Sequence, residues 1–268
     1  MAERGFDIRR MPGAVTLAIA CFAMLYIPMA ILVINAFNSG KVIGHWQGFS
    51  LRWFVSALQN DAFREAAINS LILATLAGLI ATVCATMAAL ATTRGPAFKG
   101  EKTIYMILNQ PLVVPEIVLA IALLIILGQV KQATGYSGMA YLIVAHTAFC
   151  IPFAYMPIRA RLEGMDLNLE TAAADLYAIR SYTFRRVTLP LLAPGILAGF
   201  MLAFVVSLDD VVISNLLKSP GQETLPTYLL GELRRNLSSE IYAVSTLLLF
   251  ASILIVAGSW AISRKKNN

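Results

Sequence analysis

Residues 66–91 read AAINSLILATLAGLIATVCATMAALA, a run of 26 residues without a charged side chain. This run exceeds the roughly 20 apolar residues that a helix needs to cross the hydrocarbon core of a bilayer. Five further stretches have similar length and character: Ala14–Phe37, Ile104–Gly128, Met139–Ile158, Leu189–Leu208 and Ile241–Ser263. Only the third of the six stretches carries a charge, Glu116. The sequence predicts an all-α, polytopic membrane protein with six transmembrane helices.

The composition supports this class and argues against others. Hydrophobic residues make up 58% of the chain and charged residues only 13%, whereas a soluble domain carries roughly 25% charge. The net charge of +6 fits basic cytoplasmic loops, so we expect no nucleic-acid partner. The three cysteines lie in apolar runs, and the sequence contains no Cys-x-x-Cys pair and no cluster of histidines and cysteines. We therefore expect no metal site and no cofactor.

The basic residues predict the orientation. With a cytoplasmic N-terminus, 14 of the 21 lysines and arginines lie on the cytoplasmic side. This two-to-one bias predicts that both termini are cytoplasmic, in the bacterial inner membrane. The expected organisation is a cytoplasmic tail at 1–13, a six-span domain at 14–263 and a second cytoplasmic tail at 264–268.

Two loops are more than tethers. The cytoplasmic loop 159–188 mixes both charges with Ala, Leu and Ile, unlike a Gly/Ser-rich linker, so we expect it to fold and to contact another protein. On the outer side, Phe49–Leu58 places Leu51, Phe54 and Leu58 on one helical face. This pattern suits a helix at the membrane interface, and an ordinary loop helix explains it equally well.

The loop 159–188 carries a specific motif. It reads Glu170-Thr171-Ala172-Ala173-Ala174-Asp175-Leu176-Tyr177, followed after nine residues by Val187-Thr188-Leu189-Pro190. This resembles the EAA loop of ABC importer permeases: Glu-Ala-Ala, three residues, Gly, nine residues and Ile-x-Leu-Pro. The spacing matches throughout. An ordinary amphipathic loop between two spans is the alternative.

Two positions depart from the EAA pattern. Thr171 stands where the motif has Glu, although Glu170 is adjacent, and Tyr177 stands where it has Gly. Glycine would allow a positive φ in the turn between two short helices. Tyr adopts a positive φ poorly, so the sequence leaves the exact bend of the loop open. Pro190 suits the first turn of the fifth span, where its missing N–H costs nothing.

Other segments resemble the spermidine/putrescine permeases within this family. They are Trp46-x-Gly48-Phe49-Ser50-Leu51-Arg52-Trp53, Asn69-Ser70-Leu71, Ser207-Leu208-Asp209-Asp210-Val211-Val212-Ile213-Ser214 and Thr224-Leu225-Pro226. The resemblance covers nearly the whole chain and implies polyamine import. Relatives that carry ferric iron, sulfate, opines or phosphonates share the architecture, so another small solute is the first alternative.

The resemblance implies a complex. Two permease subunits, which are related but different chains, form the pathway. Two cytoplasmic ATPase subunits drive transport, and a periplasmic binding protein delivers the substrate. The coupling residues would be Glu170, Thr171, Ala172, Ala173, Asp175, Tyr177, Leu189 and Pro190. This chain has no Gly-x-x-x-x-Gly-Lys-Ser/Thr loop, so we expect ATP to be bound and hydrolysed by the partner, and this chain not to be an enzyme.

Three carboxylates are candidates for a cation path. Glu116 lies near the middle of the third predicted span beside Pro111 and Pro115, and Asp209 and Asp210 end the fifth span near the outer face. A carboxylate within a span usually faces a cavity or a partner, and prolines free backbone carbonyls nearby. Alternatively, Asp209 and Asp210 are interfacial groups in water, and Glu116 pairs with the partner permease. His146 is expected to make a single interhelical hydrogen bond.

A stand-alone channel or ion-coupled transporter is the alternative from another class. Its expected signs are an inverted repeat or a periodic polar stripe along the spans. Neither is visible in the sequence.

Overall fold

The computed structural model describes residues 13–40, 45–95, 99–235 and 239–265. Within them the chain forms twelve α-helices: α1 (Ala14–Ala36), α2 (Arg52–Gln59), α3 (Asp61–Thr93), α4 (Glu101–Val113), α5 (Glu116–Thr134), α6 (Ala140–Glu163), α7 (Asn168–Asp175), α8 (Arg180–Thr183), α9 (Leu189–Asp209), α10 (Val212–Leu217), α11 (Leu225–Arg235) and α12 (Ser239–Lys265). The predicted tail 1–13 lies outside the described residues except for Gly13, and so do positions 266–268 of the predicted C-terminal tail.

Five helical segments are long and apolar enough to cross a membrane: α1, α3, α5, α6 and the continuous run Arg180–Asp209 that ends with α9. A shorter apolar stretch, Glu240–Leu254, lies in α12 where the sixth span is predicted. The chain is thus an all-helical protein with several membrane-spanning helices. The count of six spans stays a prediction.

One compact unit comprises Met1–Asn60 and Gly231–Ala251. In it, α1 exposes its apolar side chains on all sides, as a helix in lipid does. The indole of Trp53 on α2 is buried, and its Nε1 donates to the Asn38 carbonyl oxygen at 2.9 Å. Leu51, at the start of α2, and Leu58 are exposed. The helix predicted in Phe49–Leu58 is therefore present, and its position at a membrane surface stays a prediction.

The other unit comprises Asp61–Leu230 and Ser252–Asn268, and its core is the packing of α3, α6 and α9. Small residues permit the close approach. A Cβ added at Gly199 of α9 would lie 2.7 Å from the Ala154 carbonyl oxygen of α6, and one at Gly195 would lie 2.6 Å from Cβ of Arg161. On α3 the buried face is a series of alanines: Ala74, Ala77, Ala81, Ala85 and Ala89. Small residues at helix interfaces are typical of membrane bundles.

The third predicted span, Ile104–Gly128, is not one helix. It is broken between α4 and α5, at Val114 and Pro115, whose backbones are extended. Pro115 removes an N–H and pushes the residue before it out of the helical region. Pro111, in contrast, lies inside α4 without ending it. As a result, Glu116 lies in the first turn of α5 and not in the middle of a continuous helix.

The helix that carries the fifth predicted span begins before Leu189. Helix runs without interruption from Arg180 through a π-helical turn, Phe184–Thr188, into α9. Pro190 therefore follows an existing helix and cannot donate to the carbonyl group four residues earlier. A π-helical turn is a common way to accommodate such a local break in the hydrogen-bond ladder.

Candidate functional site

The loop 159–188 is folded. Helix α6 extends into it as far as Glu163, α7 (Asn168–Asp175) follows, and α8 leads into the helix that carries Leu189 and Pro190. All the coupling residues predicted between positions 170 and 175 lie on α7. Thr171, Ala172 and Asp175 are exposed, and Glu170 and Ala173 are half-buried. The helix thus presents small side chains outward.

The end of α7 has the geometry of a glycine turn, although tyrosine occupies it. Tyr177 has φ 60°, the one positive φ outside glycine among the described residues. Its N–H donates to the Ala174 carbonyl at 2.9 Å, and the Ala178 N–H donates to the Ala173 carbonyl at 3.0 Å. These two bonds form a Schellman motif, in which glycine usually holds the left-handed position. Tyr177 therefore adopts the positive φ that a glycine at this position would allow.

Large apolar side chains project from this turn. Leu176 is 82% exposed, Tyr177 95% and Ile179 70%. These three residues are named the apex of the loop. Contiguous apolar exposure of this kind is typical of an interaction surface.

On its inner side, α7 is joined to the spans through Glu170. Oε1 of Glu170 lies 3.4 Å from Nε of Arg94, which directly follows α3, and it accepts a hydrogen bond from the Thr188 hydroxyl at 3.0 Å. Nη2 of Arg94 donates to the Leu162 carbonyl oxygen on α6 at 3.1 Å. We call Glu170, Arg94 and Thr188 the Glu170 clasp. Sequence reasoning missed Arg94 and Thr188 as partners because they lie 76 and 18 positions away.

A cleft of about 410 Å³ adjoins the clasp. Its lining consists of the clasp together with Leu90, Ala174, Ala178, Arg180, Thr183 and Phe184. The cleft separates part of α7 and α8 from the ends of the spans, so this region is less tightly filled than the α3–α6–α9 core.

Asp210 lies at the opposite end of α9 and is buried. Its Oδ1 accepts from the Ile213 N–H at 3.2 Å, and its Oδ2 accepts from the Ser214 N–H at 2.8 Å, which caps the first turn of α10. Oδ2 also lies 3.4 Å from Nε2 of His146 on α6, and both side chains have 0% exposure. Both oxygens of Asp210 are therefore bound within the protein.

The expectation of a single hydrogen bond for His146 is wrong. Its Nδ1 is 2.8 Å from the Ser207 hydroxyl of α9, and its Nε2 is 3.1 Å from the Ser214 hydroxyl of α10. We call His146, Asp210, Ser207 and Ser214 the His146 cluster. A buried imidazole needs partners for both nitrogens, and this requirement is the signal that could have suggested the serines.

The three predicted pathway carboxylates are only partly brought together. The carboxyl groups of Glu116 and Asp210 lie close enough to interact electrostatically. Asp209 is adjacent in the chain, but its side chain is exposed. Glu116 is half-buried, so Asp209 and Glu116 are accessible carboxylates and Asp210 is an enclosed one.

Aromatic rings of the spans could bind a cation by cation–π contact, but Tyr105, Phe149, Phe153 and Phe204 have other neighbours. The guanidinium of Arg159 lies 4.5 Å from the centre of the Tyr105 ring. Phe149 packs edge-on against Phe153 at 5.3 Å, and Phe204 packs against Phe200. The phenylalanines therefore contribute to helix packing, and the cation on Tyr105 is the protein's own.

Residues 81–264 match the family described as "Binding-protein-dependent transport system inner membrane component". The chain belongs to this family. It is accordingly a multi-pass protein of the inner membrane. The predicted family is confirmed, and the EAA-like loop lies within the matched residues.

The family includes relatives named for polyamine transport. The chain is 35% identical to the putrescine transport system permease protein PotI of Escherichia coli, over 94% of this chain and 90% of that protein. It is also 35% identical to the spermidine/putrescine permease protein PotC of the same species, over 92% of both chains. A PotC of Haemophilus influenzae is 34% identical over 92% of this chain and 95% of that protein.

Solved structures of two ABC transporters share the fold. A bacterial ABC transporter for the acidic polysaccharide alginate superposes with a TM-score of 0.72 at 19% identity, over 97% of each chain. The MetNI methionine ABC transporter superposes with a TM-score of 0.63 at 17% identity, over 77% of this chain and 99% of that one. The chain therefore has the fold of an ABC importer permease.

Proposed function

We propose that this chain is a permease subunit of an ATP-driven importer that carries polyamines, putrescine or spermidine, from the periplasm to the cytoplasm. The observation that carries the proposal is the likeness to PotI and PotC over more than nine tenths of the chain. The folded loop with its exposed apex supports the ATP-driven part, because it offers a surface for a cytoplasmic partner.

The proposed partners are two ATPase subunits, a second permease chain and a periplasmic binding protein. Residues on α7 would enter a groove of the ATPase, where the exposed Ala172 permits close approach. Asp175 and Tyr177 would flank that contact, and Leu189 and Pro190 would link it to the span. ATP would be bound by the partner, and this chain would need no cofactor of its own.

We propose six spans with both termini cytoplasmic. In this arrangement α4 and α5 form the two halves of the third crossing, and α12 forms the sixth. A reporter fused after Asn268 or within 159–188 should then behave as cytoplasmic, and one within 211–240 as periplasmic. A periplasmic C-terminus would contradict the proposed topology and leave the family assignment untouched.

The proposed cation path uses the carboxylates around the α9–α10 joint. Asp209 and Glu116 would contact an ammonium group directly, since both are at least partly accessible. Asp210 would contribute its charge and hold the joint in place, because both of its oxygens are already bound. A carboxylate in a membrane is costly unless it serves such a function or has a partner.

Electrostatics explains why the middle of the path needs carboxylates. A polyamine carries at least two positive charges at neutral pH, since amine pKa values lie near 10. A dication entering a negative-inside cell gains about 4.6 kcal/mol per 100 mV. The difficulty therefore lies in losing water within the membrane, where a fixed carboxylate replaces part of the hydration.

The function can be tested by uptake of radiolabelled putrescine and spermidine into cells. Cells lacking the native polyamine importers would express this chain with its binding protein, ATPase and second permease. Uptake that disappears when this chain is omitted supports the proposal. Uptake of sulfate and of no polyamine would support the alternative of another solute and contradict the polyamine assignment.

A further inference from the structure

The carboxylate of Glu170 is turned towards its own chain. Its Oε1 accepts a hydrogen bond from the Thr188 hydroxyl at 3.0 Å and forms an ion pair with Arg94, whose Nε lies 3.4 Å away. The neighbouring Thr171, which stands at the motif's Glu position, is exposed, and its hydroxyl donates to the Leu167 carbonyl at 3.2 Å. The one carboxylate in the first turn of α7 is thus occupied by partners from the spans.

Four helices meet at the Glu170 clasp. Arg94 follows α3, its guanidinium also binds the Leu162 carbonyl near the end of α6, and Thr188 immediately precedes α9. Since α3, α6 and α9 form the core of this unit, a displacement of α7 acts on all three at one point. Without the clasp, α7 would be connected to them mainly by flanking backbone.

The clasp is shielded more than an ordinary surface ion pair. The side chains of Arg94 and Glu170 are 15% and 25% exposed, whereas those of Arg64 and Asp61 are 60% and 94% exposed. Exposed pairs contribute little, because water and salt screen them and the long side chains lose entropy. Because water and salt screen a partly buried pair less, the charges of the clasp interact more strongly than those of an exposed pair.

We propose that the Glu170 clasp transmits the motion of the coupling helix α7 to the spans, and that Glu170 is a positioning residue that does not contact the ATPase. The inference rests on the proposed function, because it requires an ATPase docked on α7. It separates two tasks along one short helix. Outward residues such as Ala172 bind the partner, and the inward Glu170 conveys the movement.

The test is a charge exchange in the complete complex, with the variants Arg94→Glu, Glu170→Arg and the double exchange. Each single variant should retain co-purification of the ATPase and continue to hydrolyse ATP. The rate of putrescine uptake should fall about tenfold, a change within the range of coupling energies in one ion-pair network. The double exchange should regain a large part of the uptake. Lys102→Glu, an exposed charge reversal on the same side of the membrane, is the matched control and should transport normally.

A milder variant guards against misfolding. Glu170→Gln keeps the size and can still accept from Thr188 but loses the charge facing Arg94, so it should also hydrolyse ATP with reduced uptake. Loss of ATPase co-purification in Glu170→Gln would overturn the inference and make Glu170 an ATPase contact. Normal uptake in Glu170→Gln, or no recovery in the double exchange, would overturn it as well.

Failure of the proposed function is distinguishable from failure of the clasp. If the parental complex carries no polyamine, the polyamine proposal fails. The clasp can still be tested, because ATP hydrolysis stimulated by the binding protein can be compared among the variants of Arg94 and Glu170. If the parental chain binds no ATPase, the proposed coupling fails before any variant is made.

Discussion

The two ends of α9 carry polar clusters of opposite character. Thr188, just before the helix, belongs to the Glu170 clasp, whose charged side chains remain partly exposed and adjoin a cleft of about 410 Å³. Asp210, just after the helix, belongs to the His146 cluster, in which the histidine and aspartate side chains have 0% exposure. The Thr188 end of α9 has space in which its side chains can rearrange, whereas the Asp210 end is enclosed by buried hydrogen-bond partners.

The difference follows from what each carboxylate binds. Asp210 accepts two backbone N–H groups of α10, so its position is fixed by the main chain. Glu170 binds only side chains, from Arg94 and Thr188. Bonds to long side chains can be remade at a modest cost in free energy. Buried backbone N–H groups that lose their acceptor cost considerably more. We infer that the Thr188 end of α9 transmits movement and that the Asp210 end serves as a fixed point.

The largest effect is expected from disturbing the partner surface beside the clasp. Ala172→Arg and Ala173→Arg should leave the protein inserted but abolish ATPase co-purification and uptake, because a long charged side chain overfills a close contact. Ala160→Arg, an exposed alanine on α6 on the same side, is the control. Normal uptake in both Ala172→Arg and Ala173→Arg would remove the coupling role of α7.

The next effect tests the fixed end. Asp210→Ala should lower the free energy of unfolding by about 3 kcal/mol, since it leaves two buried backbone N–H groups without their acceptor. Asp210→Asn should cost less, because Asn also caps helix starts well. Thermal unfolding in detergent measures both, with Glu170→Ala as the comparison at about 1 kcal/mol or less. Equal losses of stability in Asp210→Ala and Glu170→Ala would contradict the proposed difference between the two ends of α9.

A third prediction concerns the accessible carboxylates near the fixed end. Glu116→Gln and Asp209→Asn keep the side-chain size and remove the charge, so at least one should slow polyamine uptake about tenfold, equivalent to roughly 1.4 kcal/mol in the barrier. Asp61→Asn, an exposed carboxylate on α3, serves as the control. Parental rates in both variants, at equal expression, would show that these groups do not form the cation path.

The smallest effect is expected at the turn after α7. Tyr177 holds φ 60°, which costs a residue with a Cβ about 1 kcal/mol relative to glycine. Tyr177→Gly should therefore raise the stability of the isolated subunit slightly, while removing part of the apex. Limited proteolysis of the loop reports the first effect. Faster cleavage at this turn in the glycine variant would contradict the assigned backbone strain.

Span length was sufficient to predict the membrane class, and the resemblance of the loop motif to the EAA loop was sufficient to predict the family, because both are local properties of the sequence. The sequence could not show that the helix breaks at Pro115 but continues through Pro111. Whether a proline breaks a helix depends on whether the backbone carbonyl groups it leaves unpaired find other hydrogen-bond donors. The helical run through Phe184–Thr188 was missed because Pro190 is equally compatible with a helix start. Partners such as Arg94 and His146 depend on tertiary packing, which a single sequence does not specify.

The most direct test of the whole account is transport by the complex reconstituted in liposomes, with the binding protein outside and ATP supplied to the ATPase. The account predicts that labelled putrescine enters only when ATP and the binding protein are both present, and that Glu170→Gln hydrolyses ATP while importing much less. Import that proceeds without ATP, or a Glu170→Gln complex that imports as fast as the parental one, would contradict it.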